Sequence, residues 1–352
     1  MITARQRDQL SNRIQRRCTA PTDTQTFRSE VLRDLRGRIG FDAYVWLLTD
    51  PMTWVGVAPH AHVPAFEHLP SLIRYKYLTP VNRWTALAAD GICAASLVHA
   101  TGGQLESSLV WAKVLAEYGV IDVASSVMVD RAGCWGFLDL WRSGASEPFR
   151  DDEITALTEL MPMLSRALRV RQAATFAGSP PALPRSSGPV VLILNDSLEV
   201  QNQTPATDEW LRTLLPSGPG TSAVPASVYN VAAQLLAVEQ QVDAHEARAR
   251  VHLSEGTWLS VRAARMGEQL AVSLEPTSPA ERLELFALSH YMTPREALLL
   301  GYLADGSDTK SMAKRMFLSE LTVQDHLKSI FAKAGVHSRK SLLARILGTH
   351  SG

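Results

Sequence analysis

The stretch MAKRMFLSELTVQDHLK, residues 312–328, reads as the end of one short helix, a tight corner and the start of a second helix. Its neighbours complete the pattern. Thr293-Pro294-Arg295-Glu296 is a helix start, with Thr293 as cap, Pro294 at the first helical position and Glu296 placed to close a capping box. That helix turns Leu298, Leu299, Tyr302 and Leu303 inward and stops at Asp305-Gly306. Asp308 caps a second helix over about Thr309–Met316, and Phe317-Leu318 form the turn. Ser319 caps a third helix from Glu320 to Ala334, ended by Gly335, and Lys340–Leu347 makes a fourth.

On the third helix Val323, Leu327, Ile330, Phe331 and Ala334 recur at helical spacing and form one buried stripe. Gln324, Asp325 and Lys328 fall on the opposite face. A helix with such a face fits the DNA major groove, where every base pair presents its own pattern of donors and acceptors. Ser319, Glu320 and Thr322 stand at the helix N-terminus, whose free N–H groups, with the Thr322 hydroxyl, suit a phosphate oxygen. Lys310, Lys333 and Arg339 add candidate phosphate contacts. His326 is a further candidate on the DNA side, for packing or a backbone contact, with a base contact as the alternative.

The segment Met292–Leu347 resembles the LuxR-type helix-turn-helix family. The resemblance rests on the Thr-Pro-Arg-Glu start at 293, on Ala-Lys-Arg-Met-Phe-Leu-Ser at 313–319, on Thr322-Val323 with His326 and Lys328, and on Gly335-Val336 with Ser338-Arg339. It implies that the third helix reads the major groove through Gln324, Asp325 and Lys328. It also implies that the fourth helix forms a dimer through Leu342, Leu343, Ile346 and Leu347; completing the core is the alternative role for that helix. A Lys is usual in the family where this chain has Gln324, so one cationic contact is lost and adenine bonding becomes available. Asp325 repels phosphate unless it accepts from cytosine N4. Leu321 is apolar at an exposed position that is often polar in the family.

A chain of 352 residues suggests two or three domains, and 46% hydrophobic residues are ample for packed cores. The formal net charge is zero, but its distribution is uneven. Residues 293–352 carry nine Lys and Arg against five acids, and residues 1–40 carry nine Arg against four acids. Two basic ends therefore flank an acidic middle, as expected of a chain with a local anionic partner. Three scattered cysteines without CxxC spacing suit a reducing compartment. There is no signal-peptide pattern and no apolar run long enough to span a membrane, so a soluble, cytoplasmic protein is expected.

The densest Pro, Gly and Ser stretch is Thr175–Pro189, TFAGSPPALPRSSGP, which reads as a linker. A second boundary falls at EPTSP, residues 275–279. The expected organisation is therefore multidomain: residues 1–174 with a basic helical N-terminal arm, the linker 175–189, a block at 190–276 and the helix-turn-helix block at 280–352. No internal repeat is legible. In the first block a helix over Phe27–Ile39 is followed by strands at Ala43–Leu48 and Trp54–Ala58. A hairpin of Ser125–Asp130 with Cys134–Trp141 and a long helix from Pro148 onward complete it. The second block has a hairpin at Val190–Val200, helices at Thr204–Leu215 and Tyr229–Val238, and strands at Arg248–Leu253, Thr257–Arg265 and Gln269–Glu275. Both read as α+β, antiparallel sheets with helices packed outside, ahead of an all-α four-helix domain. The first block resembles GAF domains of actinobacterial regulators, through Val81-Asn-Arg-Trp-Thr85 and Gly133-Cys-Trp-Gly-Phe-Leu-Asp-Leu-Trp-Arg142 followed by Pro148-Phe149. The second resembles PAS domains in its element order and turn positions. Both resemblances imply sensory modules.

The first block is rich in aromatic and histidine residues. Tyr44, Trp46, Trp54, Tyr77 and Trp84 are candidates for a ligand pocket, with ordinary core packing as the alternative for each. His60 and His62 lack a third ligand, so no metal site is expected. No GxxxxGK[ST], HExxH, GxSxG or GxGxxG motif is present in a strand-to-helix setting, so neither a catalytic site nor a cofactor is expected. The expected function is a bacterial transcriptional regulator, not an enzyme. Its expected partners are double-stranded DNA, a second copy of the chain, a small-molecule ligand and RNA polymerase. The alternative is a ligand-independent regulator whose GAF- and PAS-like blocks serve dimerisation or protein contacts.

Overall fold

A computed structural model describes residues 2–64, 68–178, 189–214, 224–253 and 256–348. The chain divides into two compact units. The first comprises Met1–Leu168, Ser186–Val251 and Ser260–Glu275, and the second Arg169–Arg185, His252–Leu259 and Pro276–Gly352.

The first unit contains two five-stranded antiparallel sheets with flanking helices. One sheet is built from β1 (Ala43–Thr49), β2 (Gly56–His62), β3 (Ala94–Ser96), β4 (Val120–Asp130) and β5 (Gly133–Ser143), in the order β2-β1-β5-β4-β3. The other is built from β6 (Val190–Leu194), β7 (Val200–Gln203), β8 (Arg248–His252), β9 (Trp258–Met266) and β10 (Gln269–Pro276), in the order β7-β6-β10-β9-β8. Numbered within its own sheet, each runs second, first, fifth, fourth, third. The two blocks therefore share a topology although no repeat is visible in their residues.

The β4–β5 hairpin is longer than its sequence suggests, because Val120 to Met128 and Cys134 to Trp141 are buried almost without interruption. Its turn needs glycine. Gly133 lies at φ 144°, and a β-carbon there would meet the Pro51 carbonyl oxygen at 2.3 Å. Asp130 Oδ1 accepts from the Ala132 N–H at 2.8 Å and closes the turn.

Strand β2 begins two residues later than expected, at Gly56. The Asp50 carboxylate accepts from Met52 N–H at 3.0 Å, and Trp54, at φ 58°, donates its N–H to the Asp50 carbonyl at 2.8 Å, which lengthens the corner. The helix expected at Tyr229–Val238 extends over Ala226–Glu239, and the one expected at Thr204–Leu215 spans Thr207–Leu214. Asn230 on the longer helix donates to the Gly56 carbonyl at 2.8 Å, so the helix that follows β6 and β7 packs on the edge of the first sheet. Most of the expected linker, residues 179–188, and Glu255 lie outside the described residues.

Asp50 also joins the two sheets. Its Oδ2 accepts from Arg250 Nε at 2.7 Å and from Arg250 N at 2.9 Å, and its Oδ1 accepts from Arg250 Nη2 at 2.8 Å. Both side chains are fully buried. Burial alone would raise the Asp50 carboxyl, but Arg250 outweighs it and holds it below its usual range.

The second unit is helical, with Pro279–Ser289, Pro294–Ala304, Thr309–Met316, Glu320–Ala334 and Arg339–Leu347. The first of these, capped by the Ser278–Glu281 box, is not among the sequence-based expectations. Leu299, Leu300 and Leu303 face the core, whereas Leu298, expected to point inward, is 47% exposed. Phe176, within the stretch read as a linker, is buried in this core beside Trp258 and Phe286. Arg282 reaches across to the last helix, donating from Nε to the Ile346 carbonyl at 2.8 Å. No helix among the described residues is long and apolar enough to cross a membrane.

Replacing Asp50 by Ala leaves the Arg250 guanidinium buried without its carboxylate. The full chain is expected to lose about 3–5 kcal/mol of unfolding free energy, read from the urea midpoint. An unchanged midpoint would show that the pair does not hold the two sheets.

Candidate DNA-binding interface and ligand cavity

The helix Glu320–Ala334 is the centre of the candidate interface. Its N-cap is Ser319, whose Oγ accepts from Thr322 N–H at 3.1 Å, and Gly335 at φ 62° ends it. Thr309–Met316 is capped by Asp308, accepting from Ser311 N–H at 2.7 Å. The corner between them turns on Phe317 in the left-handed region at φ 55°. An aromatic residue there is strained, at a cost of order 1–3 kcal/mol, and the surrounding helix ends hold it.

The orientation of Glu320–Ala334 is set by Glu296. This residue is 3% exposed. Its Oε2 accepts from Thr293 N–H and from Lys333 Nζ, both at 2.6 Å, and its Oε1 accepts from Ser329 Oγ at 2.7 Å. One carboxylate therefore closes the capping box of Pro294–Ala304 and grips two residues of Glu320–Ala334. Burial pushes its pKa up, but Lys333, the Thr293 backbone and Ser329 outweigh this and pull it down to about 2.

Val323, Leu327, Ile330 and Ala334 are buried, and Gln324, Asp325 and Lys328 are exposed on the other side. Lys328 Nζ pairs with Asp325 Oδ1 at 3.1 Å, with both side chains mostly in solvent. Glu320, Ser319 and Lys310 are exposed, and Thr322 and His326 are half-buried. Thr322 shares a hydroxyl bond with Ser319 at 2.8 Å. Arg339 Nη2 donates to Thr309 Oγ1 at 2.6 Å. Lys333 faces Glu296 and the Tyr291 carbonyl rather than the exposed stripe. On the last helix Leu342 and Ile346 are fully enclosed in the unit's own core, Leu343 is half-buried and Leu347 is 39% exposed.

Residues 290–345 match the family of bacterial regulatory proteins described as the luxR family, GerE. This segment is a LuxR-family helix-turn-helix domain. The matched residues take in the helices Pro294–Ala304, Thr309–Met316 and Glu320–Ala334 and most of Arg339–Leu347. No curated protein matches the chain in sequence. Among solved structures, SdiA in complex with octanoyl-rac-glycerol is similar at 11% identity over 98% of this chain and 96% of that one, with a TM-score of 0.26, too low to argue from.

Ahead of the LuxR-family domain, the first unit holds a cavity of about 260 Å³. It lies on the face of β1 presented by Val45 and Leu47, and Leu72, Ile73, Val110, Val123 and Trp141 add to its apolar wall. Of the residues expected to line a pocket, Tyr77 and Trp84 do so. Tyr44, Trp46 and Trp54 do not. Successive side chains of a strand point to opposite faces, which puts Tyr44 and Trp46 on the far side of β1 from the cavity. There Trp46, wholly buried, packs on Phe27 with ring centroids 6.3 Å apart, and Tyr44 lies beside His60. Trp54 stacks on His245 at 4.6 Å.

The cavity wall includes a charged corner that the sequence reading missed, besides the polar residues Asn82, Ser108 and Asn230. Lys76 Nζ binds Asp139 Oδ2 at 2.8 Å and Ser125 Oγ at 3.1 Å, and sits 4.4 Å from the Trp84 ring. Trp84 Nε1 donates to Asp139 Oδ1 at 2.8 Å while its ring stacks on Phe137 at 4.8 Å. The available signal was Asp139 itself, a lone charge inside the apolar run CWGFLDLW. A buried charge of that kind demands a partner.

Because the Glu296 pKa lies below its ordinary value of 4.5, its stabilisation is complete above that value and is lost as the pH falls toward 2. The full chain is expected to lose about 2–3 kcal/mol on Glu296→Gln at neutral pH. Thermal melts across pH should show the gap between the two proteins closing from 4.5 down to about 2. A gap that does not vary with pH would remove Glu296 as the orienting carboxylate.

Proposed function

We propose that this LuxR-family regulator binds promoter DNA as a homodimer, with Glu320–Ala334 docked in the major groove, and acts there on RNA polymerase. The exposed stripe of Gln324, Asp325 and Lys328, on a helix whose opposite side is locked into the core, carries the reading. Gln324 supplies the donor and acceptor that adenine takes. The Asp325–Lys328 pair neutralises the acid in the free protein. An exposed pair of this kind is worth about 0–1 kcal/mol, so Lys328 exchanges it for a guanine edge at little cost, leaving Asp325 to accept from cytosine. Ser319, Thr322 and the free N–H groups between them face a phosphate, and Lys310 and Arg339 stand near enough in the fold to add others. In the dimer, Leu343 and Leu347 are the side chains of the last helix left for a partner helix. Recognition helices of such a dimer meet half-sites roughly 34 Å apart.

We read the two sheets as a GAF-like and a PAS-like module, which their shared strand order supports, and assign the cavity beside β1 to a small molecule. Its wall is mostly apolar, its charged corner is preformed, and its volume of about 260 Å³ lies just below the roughly 300–1,000 Å³ of ligand sites. A ligand there shifts the population of the DNA-competent arrangement to the extent that it binds that arrangement better.

Lys328→Ala is expected to cost about 1–3 kcal/mol at a specific operator, whereas Lys310→Ala weakens all sequences alike and flattens the salt dependence. Quantitative footprinting of the full chain at several salt concentrations separates the two, and an unchanged Lys328→Ala footprint would reverse the helix orientation. For the cavity, thermal-shift screening with small apolar molecules should find one that raises the midpoint of the full chain and leaves Val110→Phe, whose larger side chain fills the space, unmoved. Should no molecule do so, the two modules serve dimerisation or protein contacts without a ligand.

A further inference from the structure

The DNA-reading face contains one side chain that hydrogen bonding does not explain. Leu321 is the second residue of Glu320–Ala334 and is 67% exposed. Its direction follows from helix geometry. At about 100° per residue, with Leu321 at zero, Lys328 lies about 20° to one side, Gln324 about 60° to that side and Asp325 about 40° to the other. The buried residues Val323, Leu327, Ile330 and Ala334 centre roughly 210° away. Leu321 therefore stands in the middle of the polar stripe, not at its margin. None of the other large apolar side chains exposed among the described residues, Leu298, Phe317 and Leu347 included, lies on this helix.

Helix-turn-helix proteins reach base edges with the N-terminal residues of the recognition helix. Leu321 is closer to that end than any of the three polar readers and rises about 10 Å ahead of Lys328, a span of roughly three base steps. A leucine in that position has no donor or acceptor to offer. The major groove presents one apolar feature on its base edges, the C5-methyl of thymine.

We propose that Leu321 is a further specificity-determining residue, reading the 5-methyl group of a thymine beyond the base pair contacted by Gln324. The proposal rests on the DNA-binding reading above and adds a base preference to it. The Leu321 side chain and the methyl group lose contact with water together, which one methyl-sized group makes worth about fourfold in affinity per half-site. Polar groups at the same point would gain nothing from a methyl.

The test uses the full chain. Bound sequences are selected from a random duplex library, and each thymine of the selected site is then replaced in turn by deoxyuridine, which keeps every hydrogen-bonding group and lacks only the methyl. One thymine per half-site is expected to show a roughly fourfold loss. Leu321→Ser, a change at an exposed position that should leave the melting temperature unaltered, is expected to abolish that loss and relax selection at that base while keeping the Lys328-dependent preference. Deoxyuridine binding as well as thymine at every position overturns the proposal, as does a Leu321→Ser protein that keeps the methyl dependence. Failure to select any sequence overturns the DNA-binding reading, and the proposal with it.

Discussion

A single buried carboxylate, Glu296, ties down the helix Glu320–Ala334 and so sets where its exposed stripe points. It accepts from the start of its own helix and from Ser329 and Lys333 on the helix that follows the turn. The helices Pro294–Ala304 and Glu320–Ala334 are separated in the chain by a third helix, and apolar contact between them is by itself non-directional. Three bonds at 2.6–2.7 Å from two elements supply the direction. The same geometry explains why Lys333, basic and on Glu320–Ala334, is turned toward Glu296 and away from the exposed stripe.

The same device recurs in the first unit, at longer range. Asp50 and Arg250 are both fully buried and satisfied through a bidentate pair and a backbone bond. Lys76 and Asp139 form a second buried pair, at the polar corner of the cavity. Buried pairs add little net stability over apolar replacements, yet breaking one partner is costly, so each fixes a unique arrangement of the elements it joins. At the cavity this sets a preformed hydrogen-bonding corner into a mostly apolar wall. The order of strands, repeated in both sheets, brings the central strands β1 and β5 together and so places Val45, Leu47, Asp139 and Trp141 on one face.

Much of the helix-turn-helix was legible because its signals are local. Thr293, Asp308 and Ser319 cap the helices they precede, Gly335 ends Glu320–Ala334 in the left-handed region, and the buried stripe Val323–Leu327–Ile330–Ala334 follows from spacing alone. Gln324, Asp325 and Lys328 then had to be exposed, since 3.6 residues per turn leaves them nowhere else to go. Leu298 was misjudged for the opposite reason: an apolar residue at a helical position is no guarantee of burial, because much of a protein's surface is apolar too. Within the sheets β1 was legible as a strand, but its run AYVWLL is apolar on both faces, so which face met a cavity was not, and Tyr44 and Trp46 were grouped with Tyr77 and Trp84.

By itself, then, the sequence determined the strands and helices it named, the caps of the first three helices from Pro294 onward and the residues exposed on Glu320–Ala334, all of which depend on neighbours within about one or two helical turns. Only the tertiary structure decided which distant residues meet. Asp50 and Arg250 are 200 residues apart, Lys76 and Asp139 come from a helix and a strand, and Glu296 finds Lys333 one helix and a turn later. Nothing in the local pattern ranks these pairings above others. They are selected because a charge taken from water must find its partner, and only the folded chain sets which partner lies within 3 Å.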